Sequence, residues 1–338
     1  MNRFIPRMRA NGRTLLAGLG LLAATLPATA ATFAKGADVS WVDQEESSGY
    51  VFRNSSGTQA DPYVLLKGLN VNSIRLRVWV NPSGGWSNGA DLLNEAKRAI
   101  AQGQRVLVDF HYSDTWADPS HQAKPAAWAS HTVAQLQADV YAHTKGILDY
   151  LKANGVTVTW VQVGNEINSG MLWPEGKVSG TTNWANLAGY INNGYNAAKA
   201  SFPSALVVVH LANGYDDADF RWFFDSLKTA GGKWDVTGMS HYPATSGWQT
   251  TNNQAYATMQ DMVSRYAKPV MVCETGMSWD QAATAKLMLA DLVSKTQSLG
   301  SNGLGVFYWE PEAYPSWQGY TLGAVNASGQ FTVALSAY

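Results

Sequence analysis

Apolar, β-branched runs alternate along this chain with polar loops and with stretches of helical periodicity. Eight such runs predict strands: Gly36–Trp41, Ser73–Trp79, Arg105–Phe110, Thr157–Val163, Leu206–His210, Val236–His241, Val270–Glu274 and Gly303–Trp309. Most are continuous apolar runs rather than strict alternations, the pattern of parallel strands buried on both faces. Between them, Ala90–Gln102 spaces Leu92, Leu93, Ala96 and Ile100 as one helical face, and Val133–Ala153 does the same with Leu136, Val140, Ile147 and Leu151. Ala282–Leu299 carries Ala285, Leu287, Leu289, Leu292 and Val293. Gly155 and Gly300 follow two of these stretches, where a left-handed cap is expected. Eight β-then-α units predict an α/β fold, a single (β/α)8 TIM barrel over residues 31–338. An open doubly wound sheet is the alternative, but no glycine-rich phosphate turn follows an early strand. The last unit is irregular: residues 310–320 read as a loop before a short tail, so the eighth helix is expected to be truncated.

The N-terminus stands apart from this pattern. Arg3, Arg7, Arg9 and Arg13 precede an apolar stretch from Leu15 to Leu26, and Ala28-Thr29-Ala30 follows with the small-x-small spacing of a cleavage site. Residues 1–30 therefore read as a secretory signal peptide, and the protein as secreted or periplasmic. An uncleaved membrane anchor is the alternative. No later apolar stretch approaches the roughly 20 residues of a membrane span. The leader holds four of the 24 basic residues and none of the 25 acidic ones, so its removal takes the formal charge from −1 to −5.

Composition narrows the function. Hydrophobic residues make up 46% and charged residues 14%, which excludes a disordered chain. No basic run follows the leader, so no nucleic-acid partner is expected. Cys273 is the lone cysteine, so an exported form has no internal disulfide. The 14 tryptophans are a surplus that suggests flat apolar faces for a ligand, and sugars are the commonest such ligand.

In a TIM barrel, functional side chains lie at the C-terminal ends of strands. Here those ends carry Asp38, Trp41, Arg75, Arg77, Trp79, Asp109, His111, Asp114, Asn165, Glu166, His210, Asn213, His241, Tyr242, Glu274, Trp309 and Glu310. Glu166 closes the fourth predicted strand and Glu274 the seventh. Two carboxylates across a barrel mouth can flank a scissile bond, as glycoside hydrolysis requires, and a separation of about 5–5.5 Å would imply retention of configuration. Each Glu could instead satisfy a buried Arg or a backbone amide.

Six segments carry a resemblance: Lys35-Gly-Ala-Asp-Val-Ser-Trp41, Ile74-Arg-Leu-Arg-Val-Trp79, the segment from Asp109 to Pro119, Gly164-Asn-Glu-Ile167, Ser240-His-Tyr-Pro243 and Glu274-Thr-Gly276. Asn-Glu after strand four with Glu after strand seven resembles clan A of the glycoside hydrolases. The whole set, in order across almost the entire mature chain, resembles family 53, the arabinogalactan endo-β-1,4-galactanases; the Asp109–Pro119 segment is the most family-specific piece. The resemblance implies endo-cleavage of β-1,4-galactan by a retaining double displacement, with Glu166 as general acid/base and Glu274 as nucleophile. A nucleophile must stay ionised, and Arg77 and Tyr242 are the candidate neighbours. Arg77 could instead be an internal ion-pair partner. Asn165 would bind the sugar 2-hydroxyl, and Trp309 would form the platform under the sugar. His111, Asp114, Trp116, Asn213 and His241 complete the expected substrate-binding set. The rival functions are a clan A hydrolase acting on mannan, cellulose or xylan, and a non-catalytic polysaccharide-binding barrel.

His111, His210 and His241 also admit a zinc reading, but they come from three strands without short-range ligand spacing. Asp109, Asp114, Asp118, Asp216, Asp217 and Asp219 do not form a spaced calcium loop. No counterpart of the late calcium loop of some relatives follows Glu310. No metal and no cofactor are therefore expected, and a monomer suits a mouth open to polymer. Trp86, Trp116, Trp173, Trp248, Trp279 and Trp317 are expected at the rim, and Trp128, Trp160, Trp184 and Trp222 in the core. Cys273 precedes Glu274, so its thiol is expected to point away, into the strand–helix layer, and to be inert.

Overall fold

The eight apolar runs form eight parallel strands: β1 Ala34–Asp38, β2 Ser73–Val78, β3 Arg105–Phe110, β4 Val158–Val163, β5 Leu206–Leu211, β6 Val236–His241, β7 Val270–Thr275 and β8 Gly303–Trp309. Each pairs with its sequence neighbours, and β8 returns to β1, closing the barrel. This is the (β/α)8 TIM barrel that the sequence predicts. The computed structural model describes residues 1–4 and 32–338. The expected leader, residues 1–30, lies outside the described residues but for its first four. Among the described residues, no helix is long and apolar enough to cross a membrane.

The helices are α1 Val42–Ser47, α2 Pro62–Gly68, α3 Gly89–Ala101, α4 Val133–Ala153, α5 Trp184–Ser201, α6 Asp217–Thr229, α7 Trp248–Tyr266 and α8 Ala282–Ser298. Four of them, α2, α3, α4 and α6, start on a side-chain cap. Asp61 accepts from the amides of Tyr63 and Val64, with Pro62 as the first helical residue. Thr132 and Gln135 form a capping box at α4. Gly155 and Gly300 adopt the left-handed conformation expected past α4 and α8. No α-helix follows β8. Two 3-10 turns, Trp317–Gly319 and Val333–Ala337, stand in its place, and the Tyr338 hydroxyl donates to the carbonyls of Gly36 and Val306, 2.9 Å from each.

Strand alternation sorts the side chains. Ile74, Leu76, Val106, Val108, Val161 and Val163 join the large apolar layer shared with the helices. Ala34, Leu107, Trp160, Val208, Val236, Met271, Cys273 and Phe307 form a separate cluster that fills the barrel interior. The rings there demand small partners: a Cβ on Gly36 would stand 2.2 Å from the Phe307 ring. Two residues further along each strand the inward positions become polar: Asp38, Arg75, Asp109, Gln162, His210 and Ser240, all buried.

The Cys273 thiol lies in that interior cluster, not in the strand–helix layer as expected. The cause is a register shift between β6 and β7, where Met239 pairs with Val272 but Ser240 with Glu274. This bulge lets two consecutive residues serve the interior and its mouth. The thiol is fully buried and its pKa is pushed up to about 12, consistent with an inert side chain. Trp128 and Trp160 are buried as expected. Trp222 is not: it is 41% exposed on α6, with its ring against Trp184.

Candidate active site

A cavity of about 450 Å³ opens at the C-terminal ends of the strands. Its lining includes Arg77, Asp109, His111, Trp116, Asn165, Glu166, Asn213, Tyr242, Glu274 and Trp309, together with Tyr320 and Leu322 from the loop after β8. The residues come from separate strand ends, so the closed barrel, not local sequence, brings them together.

Arg75 organises the floor. It is 1% exposed, and it donates from Nη1 to Asp38 at 2.6 Å and from Nη2 to Asp109 at 2.9 Å. The same Nη2 lies 2.9 Å from Glu274 Oε1 and 2.9 Å from Asn165 Oδ1, while Nε donates to Gln162. One guanidinium thus serves three buried carboxylates, a use that suits its fixed fork of donors. Burial works against the charge on Asp109, but Arg75 and His111 hold its carboxyl below the usual range. His111 Nδ1 accepts from the Trp79 indole and from the Ala117 amide, so its proton faces Asp109 from Nε2.

The two Glu residues sit in different surroundings. Burial pushes Glu274 up, whereas Arg75 and the Tyr242 hydroxyl, which donates to Oε2 at 2.9 Å, pull it back. Burial also raises Tyr242 well above its ordinary value, so it remains a donor. Glu166 makes no ion pair among the described residues. Burial, and then the charge of Glu274, raise its carboxyl to about 8, with the Ser240 hydroxyl opposing the shift. The guanidinium favours the charged form of Glu274, whereas Glu166, raised to about 8 with no cation partner among the described residues, is the member of the pair that favours the proton.

Glu166 also holds a left-handed backbone, with φ +47°. Such a conformation costs a non-glycine residue about 1 kcal/mol or more and persists where its surroundings dictate it. Here the Glu166 amide donates to His210 Nδ1 at 3.3 Å and the Ile167 amide to the His210 carbonyl at 3.0 Å. His210 is fully buried, and burial pushes its pKa well down, so the neutral ring can accept. Asn165 is anchored by Arg75, Gln162 and the Ala117 carbonyl, and still borders the cavity.

Three expectations need correction. Arg77 is not the cation beside Glu274; it pairs with buried Glu310, and Arg75 takes the expected place. Arg77 does reach the cavity wall, where its guanidinium lies 4.5 Å from the Trp116 ring centroid and 5.2 Å from that of Trp41. His241 does not reach the cavity. Ser240 points inward, so alternation turns His241 outward, where it is fully buried and its Nε2 meets Asn252 of α7 at 2.9 Å. Asp114 spends its carboxylate on the loops, accepting from the amides of Asn81 and Ala126. It borders an adjoining pocket of about 220 Å³ that shares Arg77 and Trp116 with the main cavity.

The tryptophans make one wall. Trp309 packs 5.1 Å from Trp41, 6.0 Å from Trp116 and, with Tyr320, 4.6 Å between ring centroids. Trp116 is 36% exposed and also meets Trp79. Tyr320 lines the cavity, Trp41 packs on Trp309, and Gln162 bonds Arg75 and Asn165; none of the three is in the expected binding set. Arg75 stands among the strand-end residues but outside the expected binding set, although its carboxylate partners Asp38 and Asp109 lie at the ends of the two flanking strands, a signal readable in the sequence.

Similarity to known proteins follows the same architecture. Residues 34–338 match the family described as glycosyl hydrolase family 53. A protein of Neosartorya fischeri named probable arabinogalactan endo-beta-1,4-galactanase A is 35% identical over 89% of this chain and 90% of its own length. An endo-beta-1,4-galactanase of Bacillus subtilis is 32% identical over 84% of this chain and 71% of its own. Among solved structures, a fungal beta-1,4-galactanase superposes with a TM-score of 0.82 at 32% identity, covering 89% of this chain and 97% of that one. With a match over nearly all the described barrel, and relatives above 30% identity along most of its length, the chain belongs to glycosyl hydrolase family 53.

Proposed function

We propose that this protein is an endo-acting, retaining β-1,4-galactanase that cleaves galactan of the arabinogalactan type I class. The observation that carries the reading is the contrast between two carboxyls in one cavity: Glu166 is raised to about 8, and Glu274 is held by Arg75 and Tyr242. An acid and a nucleophile need that difference. The family and its galactanase-named members support the linkage and the sugar.

In the first step Glu274 attacks the anomeric carbon while Glu166 gives its proton to the departing glycosidic oxygen. Cleavage of that bond leaves a galactosyl ester on Glu274. In the second step Glu166, now ionised, takes a proton from water, whose oxygen displaces Glu274 from the same carbon. Asn165 binds the 2-hydroxyl, and Trp309 and Trp116 offer rings to the C–H face of galactose. His111 and Asn213 complete the polar lining. Residues 1–30 act as the export signal, and the mature chain works as a monomer outside the cytoplasm.

Reducing-sugar release from β-1,4-galactan, measured beside mannan, cellulose and xylan, tests the reading. The expected result is release from galactan alone. No release from galactan, or faster release from another polymer, contradicts it.

A further inference from the structure

Beside the barrel, away from the paired Glu residues, α1 and α3 bring three carboxylates together. Asp43 stands on α1; Asp91 and Glu95 are four residues apart on α3, which puts them on one helix face. One oxygen from each of the three lies within 4.8 Å of the others. Glu95 is 1% exposed, and its Oε1 has no hydrogen-bond partner among the described residues. A separate side chain adjoins the cluster. Tyr63 of α2 is fully buried, its hydroxyl has no partner among the described residues, and its ring lies 4.8 Å from the guanidinium of Arg98, which pairs with Asp43.

The neighbouring cations are already engaged. Arg98 pairs with Asp43 but also with Glu46 and Asp61. Arg77, the arginine whose charge reaches Glu95, pairs with Glu310. Burying carboxylates in excess of their counter-charges is strongly unfavourable unless protons or a cation offset them.

We propose that Asp43, Asp91 and Glu95 hold a divalent cation of calcium's size. An all-oxygen, carboxylate-rich donor set selects hard cations. Calcium accepts several protein carboxylates in a flexible geometry, whereas magnesium keeps much of its water and usually takes only one or two carboxylates. The expectation of no metal rested on other acids, none of which belongs to this cluster. The ion would tie α1 to α3. Trp41 immediately precedes α1 and packs against Trp116 and Trp309, so the ion would brace the aromatic wall from behind.

Calorimetric titration of the EDTA-treated full chain with CaCl2, and in parallel with MgCl2, tests the site, with melting temperature as a second readout. The expected result is saturable binding of one Ca2+ per chain, a Tm that rises with Ca2+, and weaker binding of Mg2+. Glu95→Gln should weaken Ca2+ binding by about tenfold or more, since affinity follows ligand charge. Asp91→Asn, at a half-buried position, serves the same purpose if Glu95→Gln does not fold. Absence of saturable Ca2+ binding, Mg2+ binding tighter than Ca2+, or wild-type Ca2+ affinity in the folded variants overturns the proposal.

Discussion

Arg75 Nη2 lies 2.9 Å from Glu274 Oε1, and the two side chains are 1% and 8% exposed. That contact joins the barrel's internal ion network to the carboxylate proposed as nucleophile. Arg75→Met should therefore damage stability and catalysis together. It leaves Glu274, Asp38 and Asp109 buried without their cation, at a cost of about 3–5 kcal/mol. Arg75→Lys keeps the charge but cannot reach three carboxylates with a fixed fork, so it should recover part of the stability. Urea unfolding and kcat on galactan check both; a Met variant as stable and active as the parent contradicts the assignment.

The two Glu residues should fail differently. Glu274→Ala removes the proposed attacking group, and kcat should fall about 10⁴-fold or more on every substrate. Glu166→Ala removes the proposed acid, so its loss should be much smaller on galactosides with a good leaving group, which need less protonation. Equal losses on poor and good leaving groups would reassign Glu166.

Both activity and stability should carry the signature of Glu166. Its acid form is the competent one, so kcat/KM should fall as pH rises through about 8. Its folded pKa is raised above the ordinary 4.5, so the native state holds the proton more tightly than the unfolded chain. That contribution to stability is complete below about pH 4.5 and is lost as pH rises through about 8. Glu45, raised to about 8 by burial, adds the same sign. The difference between wild type and Glu166→Gln in urea unfolding, followed from about pH 5 to about pH 9, isolates the Glu166 share. A difference that does not change with pH contradicts it.

Trp116 tests the aromatic wall without touching the reacting atoms. Its ring is 36% exposed, lines the cavity and lies 4.5 Å from the Arg77 guanidinium. Trp116→Ala should cost about 1 kcal/mol of binding, or about fivefold in KM, with kcat nearly unchanged. A loss confined to kcat would give the ring a different role.

The strands are legible in the sequence because a parallel barrel buries both faces, which leaves apolar runs unlike the loops around them. β3, β6 and β8 match their predicted limits. Pairing within the barrel was harder to foresee. Arg75 and Arg77 both face inward by alternation, and which one meets Glu274 depends on height along the axis, which only the closed barrel sets. His241 was misplaced although the inward Ser240 beside it implied the opposite face. Cys273 could not be oriented by alternation at all, because the bulge before Glu274 suspends it.

The most direct test of the proposed mechanism is the anomer first formed from β-1,4-galactan, followed by NMR while oligosaccharide products accumulate. Double displacement through Glu274 predicts β-configured galacto-oligosaccharides as first products, with the α-anomer appearing later by mutarotation. First-formed α-anomer would mean single displacement by water and would contradict the nucleophilic role of Glu274.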